Sequence, residues 1–144
     1  MLGLLKHCEG HSFQVVTTLL SAELRGHILP EGHVVADIRR LLNYFRLDNA
    51  GRSLMGGRGG NKEARSTKDY SHLLARKTAL YPALENQFIE YAWSGRVALT
   101  LDKQPHIHKL AEGVYTGLGY NGRGVGMATL MGKWLAELSV KQAI

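Results

Sequence analysis

Runs of apolar and β-branched residues, separated by turn-forming residues, predict a chain built mainly from β-strands. The run at residues 11–20 is rich in valine, threonine and leucine, the composition that strands favour. The tetrad at residues 29–32, Leu-Pro-Glu-Gly, is typical of a turn. We predict strands at residues 11–20, 34–37, 41–47, 52–56, 87–93, 96–100 and 113–117. Because several of these strands follow one another as hairpins, the sheet is expected to be mainly antiparallel.

The clearest local prediction is a hairpin around residues 48–51. The strand at 41–47 ends in Asp-Asn-Ala-Gly, and an apolar strand returns at 52–56, which is the pattern of a four-residue hairpin loop. Side chains alternate across a strand. One face therefore carries Leu42, Tyr44 and Arg46, and the other carries Asn43, Phe45 and Leu47.

Two segments have the apolar spacing of helices. In residues 67–80, Thr67 is the candidate cap, Lys77 breaks the apolar face, and Tyr81-Pro82 ends the helix. The second helix follows residue 126 and reaches about residue 138. Its predicted apolar face consists of Leu130, Trp134, Leu135 and Leu138.

Three stretches between these elements are predicted to be irregular. Residues 56–61 are rich in glycine and are expected to form a loop. The stretch from Leu101 to Lys109, which contains Pro105, is also expected to be a loop. Ser94-Gly95 is predicted to be a bulge or a sharp bend between two strands.

Composition favours one ordinary domain-sized chain with an anionic neighbour. The chain has 144 residues and a formal net charge of +6. The basic residues are spread along the chain without interleaved aromatic residues, so a solvated face or a missing neighbour is favoured over a nucleic-acid surface. No apolar run approaches the ~18 residues of a membrane span. The single cysteine, Cys8, cannot form an internal disulfide, which fits a cytoplasmic protein.

Residues 117–126 are the candidate binding loop. They contain five glycines and lie between a predicted strand and a predicted helix. The free amides and positive dipole end of a helix N-terminus suit an anion or an electron-rich ring. The loop lacks the acidic residue and second βα unit of a dinucleotide fingerprint, and no Gly-Lys-Ser/Thr follows. From the loop alone, both ligand binding and simple tight packing stay open.

A series of short motifs, in order along nearly the whole chain, resembles the C-terminal part of FAD-dependent oxidoreductases of the D-amino-acid oxidase and glycine oxidase family. The resemblance is greatest to the amine-oxidising branch typified by gamma-glutamylputrescine oxidase. The motifs are Ile28-Leu29-Pro30, Tyr44-Phe45-Arg46, Gly51-Arg52-Ser53-Leu54-Met55-Gly56-Gly57-Arg58, Tyr81-Pro82-Ala83-Leu84, Trp93-Ser94-Gly95, Thr100-Leu101-Asp102, Pro105-His106-Ile107 and Gly119-Tyr120-Asn121-Gly122-Arg123-Gly124.

The resemblance implies an α+β fold that lacks its first part. Residues 1–110 would supply a mainly antiparallel substrate-domain sheet with one crossing helix. Residues 111–144 would supply the last strand, glycine loop and helix of an FAD-binding domain whose N-terminal βαβ unit is missing. The cofactor would be FAD, and the missing FAD-binding half is the expected partner. The residues expected to contact FAD are Gly119, Tyr120, Asn121, Gly122, Arg123, Gly124, Val125 and Gly126.

The resemblance also implies a substrate and the residues around it. Tyr44, Arg46 and Trp93 would wall the substrate cavity. In the amino-acid-oxidising members an arginine after the Trp-x-Gly motif pairs with the substrate carboxylate, and here Val97 takes that place. Valine cannot form a bidentate clamp, so a small-molecule amine is favoured over an amino acid.

Two other functions stay open. The chain could be a non-catalytic truncated or split fragment that acts only with a partner chain. It could also be a basic nucleic-acid binder, which the charge alone supports. No catalytic acid or base is assigned, because the carboxylates show no pairing in the sequence. His106 and His108 lack cysteine or carboxylate neighbours at ligand spacing, so no metal is expected.

Overall fold

The computed structural model describes residues 7–39 and 42–141, which divide into two compact units. The N-terminal unit is Gly10–Arg96, and the C-terminal unit contains the described residues from Val97 onward together with residues 7–9. The boundary between the units lies between Arg96 and Val97, and the predicted domain boundary between residues 110 and 111 stays a prediction. The assignment of the two parts to a substrate domain and a flavin domain stays a prediction.

A five-stranded sheet forms the frame of the N-terminal unit. Its strands are β1 (His7–Thr17), β2 (Val35–Ala36), β3 (Asn43–Leu47), β4 (Ser53–Arg58) and β5 (Ile89–Thr100), in the order β2-β3-β4-β1-β5. The pairs β2–β3, β3–β4 and β4–β1 are antiparallel, as the sequence predicted. The hairpin is closed by Gly51 N–H donating to Asp48 O at 3.0 Å, which confirms its four-residue loop.

The helix predicted in this unit begins as a 3-10 turn, and a second helix was missed. Helix α1 (Ala22–His27) was not predicted, although Ser21 caps it by accepting from Leu24 N–H. The predicted helix at 67–80 begins as a 3-10 turn, Thr67–Tyr70, and continues as α2 (Ser71–Leu80). Ser66 rather than Thr67 is the capping residue, so that prediction was wrong. Pro82 does end α2 and opens a second 3-10 turn, Pro82–Leu84.

Helix α2 covers one face of the sheet. The main core cluster joins Phe13, Val15 and Met55 of the sheet to Tyr70 and Leu73 beside it. The predicted break in the helix, Lys77, is in fact 4% exposed. Its aliphatic stem is buried, and its Nζ donates to Leu84 O at 2.7 Å. Lys77 therefore lies on the buried face that the helical spacing predicts.

Three loop or bend predictions were wrong. Gly57 and Arg58 lie within β4 rather than in the loop that follows it. One strand, β5, replaces the two strands predicted on either side of Ser94-Gly95. The predicted loop at 101–109 contains a strand, β6 (His106–Ala111), whose alternation of histidine and apolar residues carried no strong strand signal.

The C-terminal unit is a hairpin with a helix packed on it. Strand β6 pairs antiparallel with β7 (Val114–Leu118), and α3 (Gly124–Lys141) follows the glycine loop. Met131, 1% exposed, lies against Gly117 of β7, where a Cβ would stand 3.0 Å from the methionine Cε. The least exposed stripe of α3 therefore runs through Met131, which is buried, and Met127, Leu135 and Leu138, which are half-buried.

Two residues of the predicted apolar face of α3 lie elsewhere. Leu130 is 41% exposed and Trp134 is 40% exposed, so only Leu135 and Leu138 were placed correctly. The prediction left out Met131. The helix face that carries Met131 is rotated by about one residue from the predicted apolar face. Within the described residues, no helix combines the length and apolar character needed to cross a bilayer.

Candidate functional site

The glycine loop has a backbone that few other sequences could adopt. Gly119, Asn121 and Gly122 have φ values of 79°, 54° and 82°, in the left-handed region. A Cβ on Gly119 would stand 2.5 Å from Gln104 O, so glycine is required there for space as well as for conformation. The loop thus bends sharply between the end of β7 and the first turn of α3.

The first turn of α3 presents backbone amides. Its first hydrogen bond runs from Met127 N–H to Arg123 O at 2.9 Å. The amides of Gly124, Val125 and Gly126 precede that bond and so have no helical acceptor. The first turn of α3 contains no acidic residue. Val125 is fully exposed, and a Cβ built on Gly124 or Gly126 meets nothing within 4 Å. These three amides form the candidate anion site, at the positive end of the helix dipole.

The polar side chains of the loop bind the loop itself. Asn121 Oδ1 accepts from Thr100 N–H at 2.8 Å, and Asn121 Nδ2 donates to Thr100 Oγ1 at 3.1 Å. Arg123 Nη2 donates to Lys103 O at 2.7 Å. Tyr120 is half-buried, with its hydroxyl directed at Gly117 of β7. The side chains of Asn121 and Arg123 are thus engaged within the chain, and the contacts of this loop with FAD stay a prediction.

Val97 lies beside the glycine loop. Its Cγ1 is the atom nearest to a Cβ built on Gly122, at 3.7 Å. The position where the resemblance expects a substrate-pairing arginine is therefore occupied by an apolar side chain in contact range of the loop. Arg123, the arginine of the loop, is turned toward Lys103 O.

Tyr44 and Arg46 lie on the sheet face opposite α2, which we call the open face. Phe45, between them, packs against the core cluster on the α2 side. Tyr44 Oη is 2.7 Å from Ser12 Oγ of β1, and its ring crosses over Gly56 of β4 to reach it. Arg46 is exposed, and within the described residues it has no carboxylate partner. The open face therefore offers a fixed phenol and an unpaired cation.

Trp93 does not join these two residues. It lies on β5, and strands β4 and β1 stand between β5 and β3, so about 14 Å of sheet separates Trp93 from Tyr44. Trp93 is 42% exposed. The three predicted substrate residues are thus split between β3, the second strand of the sheet, and β5 at the opposite edge, and their contact with a substrate stays a prediction.

Asp102 and His106 form an ion-pair geometry below the glycine loop. Asp102 Oδ2 is 2.9 Å from His106 Nε2. The pKa of Asp102 lies below its ordinary value because the Gln104 amide and then the Thr100 hydroxyl donate to the carboxylate. His106 stacks on His108 with 5.8 Å between ring centroids. In the described parts of the chain, no three metal-ligating side chains come together.

Sequence reasoning missed Thr100 and Ser12 as site residues. Each reaches its partner across a long sequence separation, Thr100 to Asn121 and Ser12 to Tyr44. Thr100 belongs to the Thr100-Leu101-Asp102 motif, but nothing in the sequence indicated its role. Ser12 lies in a predicted strand, and nothing else in the sequence pointed to it. Neither contact follows from periodicity. The Ser12–Tyr44 contact depends on how β1, β4 and β3 are paired, and the Thr100–Asn121 contact depends on how the glycine loop meets the end of β5.

Comparison with known proteins gives a family match over most of the chain. A family model described as FAD-dependent oxidoreductase matches residues 3–138. The probable oxidoreductase OrdL of Rhizobium meliloti is 37% identical over 131 residues, covering 90% of this chain and 30% of that protein. The gamma-glutamylputrescine oxidoreductase of Escherichia coli is 37% identical over 127 residues, covering 87% of this chain and 30% of that protein.

A solved structure agrees with the fold. Glycine oxidase from Bacillus cereus superposes with a TM-score of 0.70 at 17% identity, over 92% of this chain and 36% of that one. The mixture of antiparallel sheet and helix is therefore a known fold. The chain spans less than a third of the length of the curated relatives it matches.

Proposed function

This chain belongs to the family of FAD-dependent oxidoreductases, and we propose that it forms the C-terminal part of an enzyme that oxidises an amine to an imine. The observation that carries the proposal is the row of open amides at Gly124, Val125 and Gly126, on a loop whose own side chains are engaged elsewhere. The rest of the protein would supply the remainder of the FAD-binding domain.

The residues at the loop fit a flavin. Glycine at 124 and 126 leaves the amides uncovered, so a flat ring system can approach the backbone closely. When bound, FAD supplies the redox chemistry by accepting the hydride that leaves the amine-bearing carbon. The role of this chain is to favour negative charge at that ring through amides and helix dipole, which act before any reaction takes place.

Val97 supports an amine substrate rather than an α-amino acid. An α-carboxylate buried without a cation would be costly, and the nearest arginine of the loop is committed to Lys103 O. An amine without an adjacent carboxylate requires no such cation. The Val97→Arg variant should shift the preference of the enzyme toward α-amino acids, since it would restore a guanidinium at that position.

The open face of the N-terminal unit supplies the proposed substrate wall. Tyr44 is held by Ser12 and offers an aromatic ring to a substrate chain. Arg46 has no carboxylate partner among the described residues and would attract an anionic group carried by the substrate. Trp93 would contact the substrate only at the far edge of the sheet.

A partner chain or preceding segment is part of the proposal. Leu130 and Trp134 leave an apolar face on α3 that the described residues do not cover. The alternative function is a non-catalytic fragment that acts only with a partner chain. It also predicts that a partner covers this face of α3, but it predicts no amine oxidation. A measurement of amine oxidation separates the enzyme from the non-catalytic fragment, because only the enzyme turns over an amine.

The test uses the completed protein, meaning this chain together with the polypeptide that supplies the remaining FAD-binding part, as one chain or two co-expressed chains. We expect the completed protein to retain stoichiometric FAD. Addition of an amine under anaerobic conditions should bleach the absorbance of the oxidised FAD. The Gly126→Val variant should lose FAD, because the side chain fills open space over the amides. Gly132→Val is the matched control, since Gly132 lies on the same helix and also has open space.

Three results would overturn the proposal. The first is a completed protein that holds no FAD. The second is one in which Gly126→Val and Gly132→Val retain FAD equally well. The third is FAD that no amine reduces, which would leave the non-catalytic fragment as the function.

A further inference from the structure

Asn121 is joined to the rest of the C-terminal unit by every polar atom of its side chain. Its Oδ1 accepts from Thr100 N–H at 2.8 Å. One hydrogen of Nδ2 is donated to Thr100 Oγ1 at 3.1 Å, and the other to Gly119 O. The amide orientation is therefore fixed, because oxygen faces a donor and nitrogen faces two acceptors.

Thr100 extends this network into the turn that follows β5. Thr100 Oγ1 lies 3.3 Å from Gln104 O and 3.3 Å from Asn121 Oδ1, and its hydroxyl also donates to the Asp102 carboxylate. These three acceptors share the one hydroxyl hydrogen. Thr100 is 7% exposed, so its hydrogen bonds are sheltered from water. Arg123 is tied to the same turn through Lys103 O. The glycine loop is thus fastened to residues 100–104 on both sides of Gly122.

The chemistry of position 121 admits few substitutes. The residue must adopt a left-handed backbone, at φ 54°, which asparagine and glycine tolerate best. It must also accept one hydrogen bond and donate two. Aspartate has the same shape but cannot donate, and glycine keeps the backbone but removes all three bonds. The position therefore combines a conformational and a hydrogen-bonding requirement.

We propose that Thr100 and Asn121 are positioning residues that hold the amides of Gly124, Val125 and Gly126 in place for the flavin. This inference rests on the proposed function and deepens it. The two side chains do not touch the amides. They fix the loop from which α3 begins, so that the amides are already aligned before a ligand arrives. A loop aligned in advance loses less entropy on binding, and its dipoles need no reorganisation when negative charge develops on the ring.

The first test measures loop order in the full chain without FAD. NMR relaxation and amide exchange are compared for wild type, Asn121→Gly, Asn121→Asp and Thr100→Val. We expect backbone order parameters of residues 119–124 to fall in all three variants. The protection of the Thr100 amide should drop about tenfold in Asn121→Gly, which removes the acceptor of that amide, and should persist in Asn121→Asp, which keeps an acceptor oxygen. Thr100→Ser keeps the hydroxyl and should behave as wild type. Unchanged loop order in Asn121→Gly overturns the proposal.

The second test measures the bound cofactor in the completed protein. The amides favour the negatively charged reduced ring over the neutral oxidised one, so a loosened loop should bind reduced FAD less tightly by a larger factor than oxidised FAD. The midpoint potential of bound FAD then falls in Asn121→Gly and Thr100→Val and recovers in Thr100→Ser. A merely structural role would weaken both forms equally, and an unchanged potential overturns the proposal.

The Gly126→Val variant keeps the two conclusions apart. Loss of FAD in Gly126→Val together with an unaltered potential in Asn121→Gly removes only the positioning role. Retention of FAD in Gly126→Val removes the flavin site itself, and the positioning role with it. Falling potential in the two loosened variants with loss of FAD in Gly126→Val supports both.

Discussion

The ring of Tyr44 lies directly over Gly56, its partner across the β3–β4 pair. A Cβ on Gly56 would stand 2.2 Å from Tyr44 Cε2, so the ring occupies the space that any other residue would fill. This contact lets Tyr44 cross β4 and reach Ser12 of β1 at 2.7 Å. Gly56 thereby decides where the phenol stands on the open face.

The Gly56→Ala variant should displace Tyr44 and destabilise the sheet. The added methyl group overlaps the ring, and overpacking of this kind costs about 1–3 kcal/mol. We expect a lower free energy of unfolding by urea denaturation and loss of the Ser12–Tyr44 bond. A Gly56→Ala/Tyr44→Ala double variant should be less destabilised than the sum of the two single variants, because removal of the ring relieves the overlap.

Gly95→Ala is the control for that effect. Gly95 also lies within a strand, β5, but a Cβ there meets nothing within 4 Å. Its substitution should change the free energy of unfolding little. Equal destabilisation by Gly56→Ala and Gly95→Ala would show that the loss arises from glycine itself and not from the Tyr44 ring.

Asp37 should contribute to stability above the range in which carboxyl groups titrate. Its pKa lies below the ordinary value, first because Asn43 Nδ2 donates to it at 2.9 Å and then because the Asn43 and Arg39 amides also donate. Since the folded pKa is depressed, the stabilisation is present above the unfolded pKa and is lost as pH falls through the folded one.

Asp37→Asn should therefore lower the free energy of unfolding at pH 7 and flatten the acid side of its pH profile. Urea denaturation between pH 7 and pH 3 measures both effects. Glu31→Gln is the control, since Glu31 is exposed in the turn after α1. An acid profile that Asp37→Asn leaves unchanged contradicts the assignment.

The sequence predicted the parts of the fold that depend on short-range order. The hairpin of β3 and β4 and the strand, glycine loop and helix at the C-terminus were confirmed, because turn chemistry and glycine spacing are local signals. Strand β6 was missed, since its partner β7 supplies the reason for its extended backbone. The two units and their boundary depend on contacts that no local pattern records.

The candidate site was predicted less completely than the fold. The glycine loop was located from sequence, but Asn121 and Arg123 were expected to face the cofactor, and their hydrogen bonds instead lead to Thr100 and Lys103. Side-chain direction in a loop depends on φ values and on neighbours far along the chain. A motif can therefore place a site without saying which of its atoms are available.

Met131 should contribute much more to stability than its neighbour Leu130. Met131 is 1% exposed and packs on Gly117, whereas Leu130 is 41% exposed. Truncation of a buried methionine to alanine costs about 2–5 kcal/mol. Leu130→Ala should cost about 1 kcal/mol or less in the isolated chain, since little of its side chain leaves water. Thermal or urea unfolding of the two variants measures the difference, and the reverse order would restore the helix face predicted from sequence.

Lys77 gives the chain a stability that rises at alkaline pH. Burial lowers the pKa of its ammonium group below the ordinary 10.5, and no carboxylate among the described residues pairs with it. In the window between the lowered folded pKa and 10.5, the unfolded chain binds more protons than the folded one. The free energy of unfolding therefore increases as pH rises through that window.

The Lys77→Met variant should lose this alkaline rise while keeping an apolar stem of similar length. Its Nζ bonds to the carbonyls of Leu84 and Gln87 disappear, so its stability at pH 7 reflects both the removed charge and the unpaired carbonyls. Urea denaturation from pH 7 to pH 10 separates the slope from the offset. Lys68→Met, at an exposed position in the preceding 3-10 turn, should keep the wild-type slope. A wild-type slope in Lys77→Met would mean that the ammonium group is hydrated in solution and that its burial in the fold is not retained.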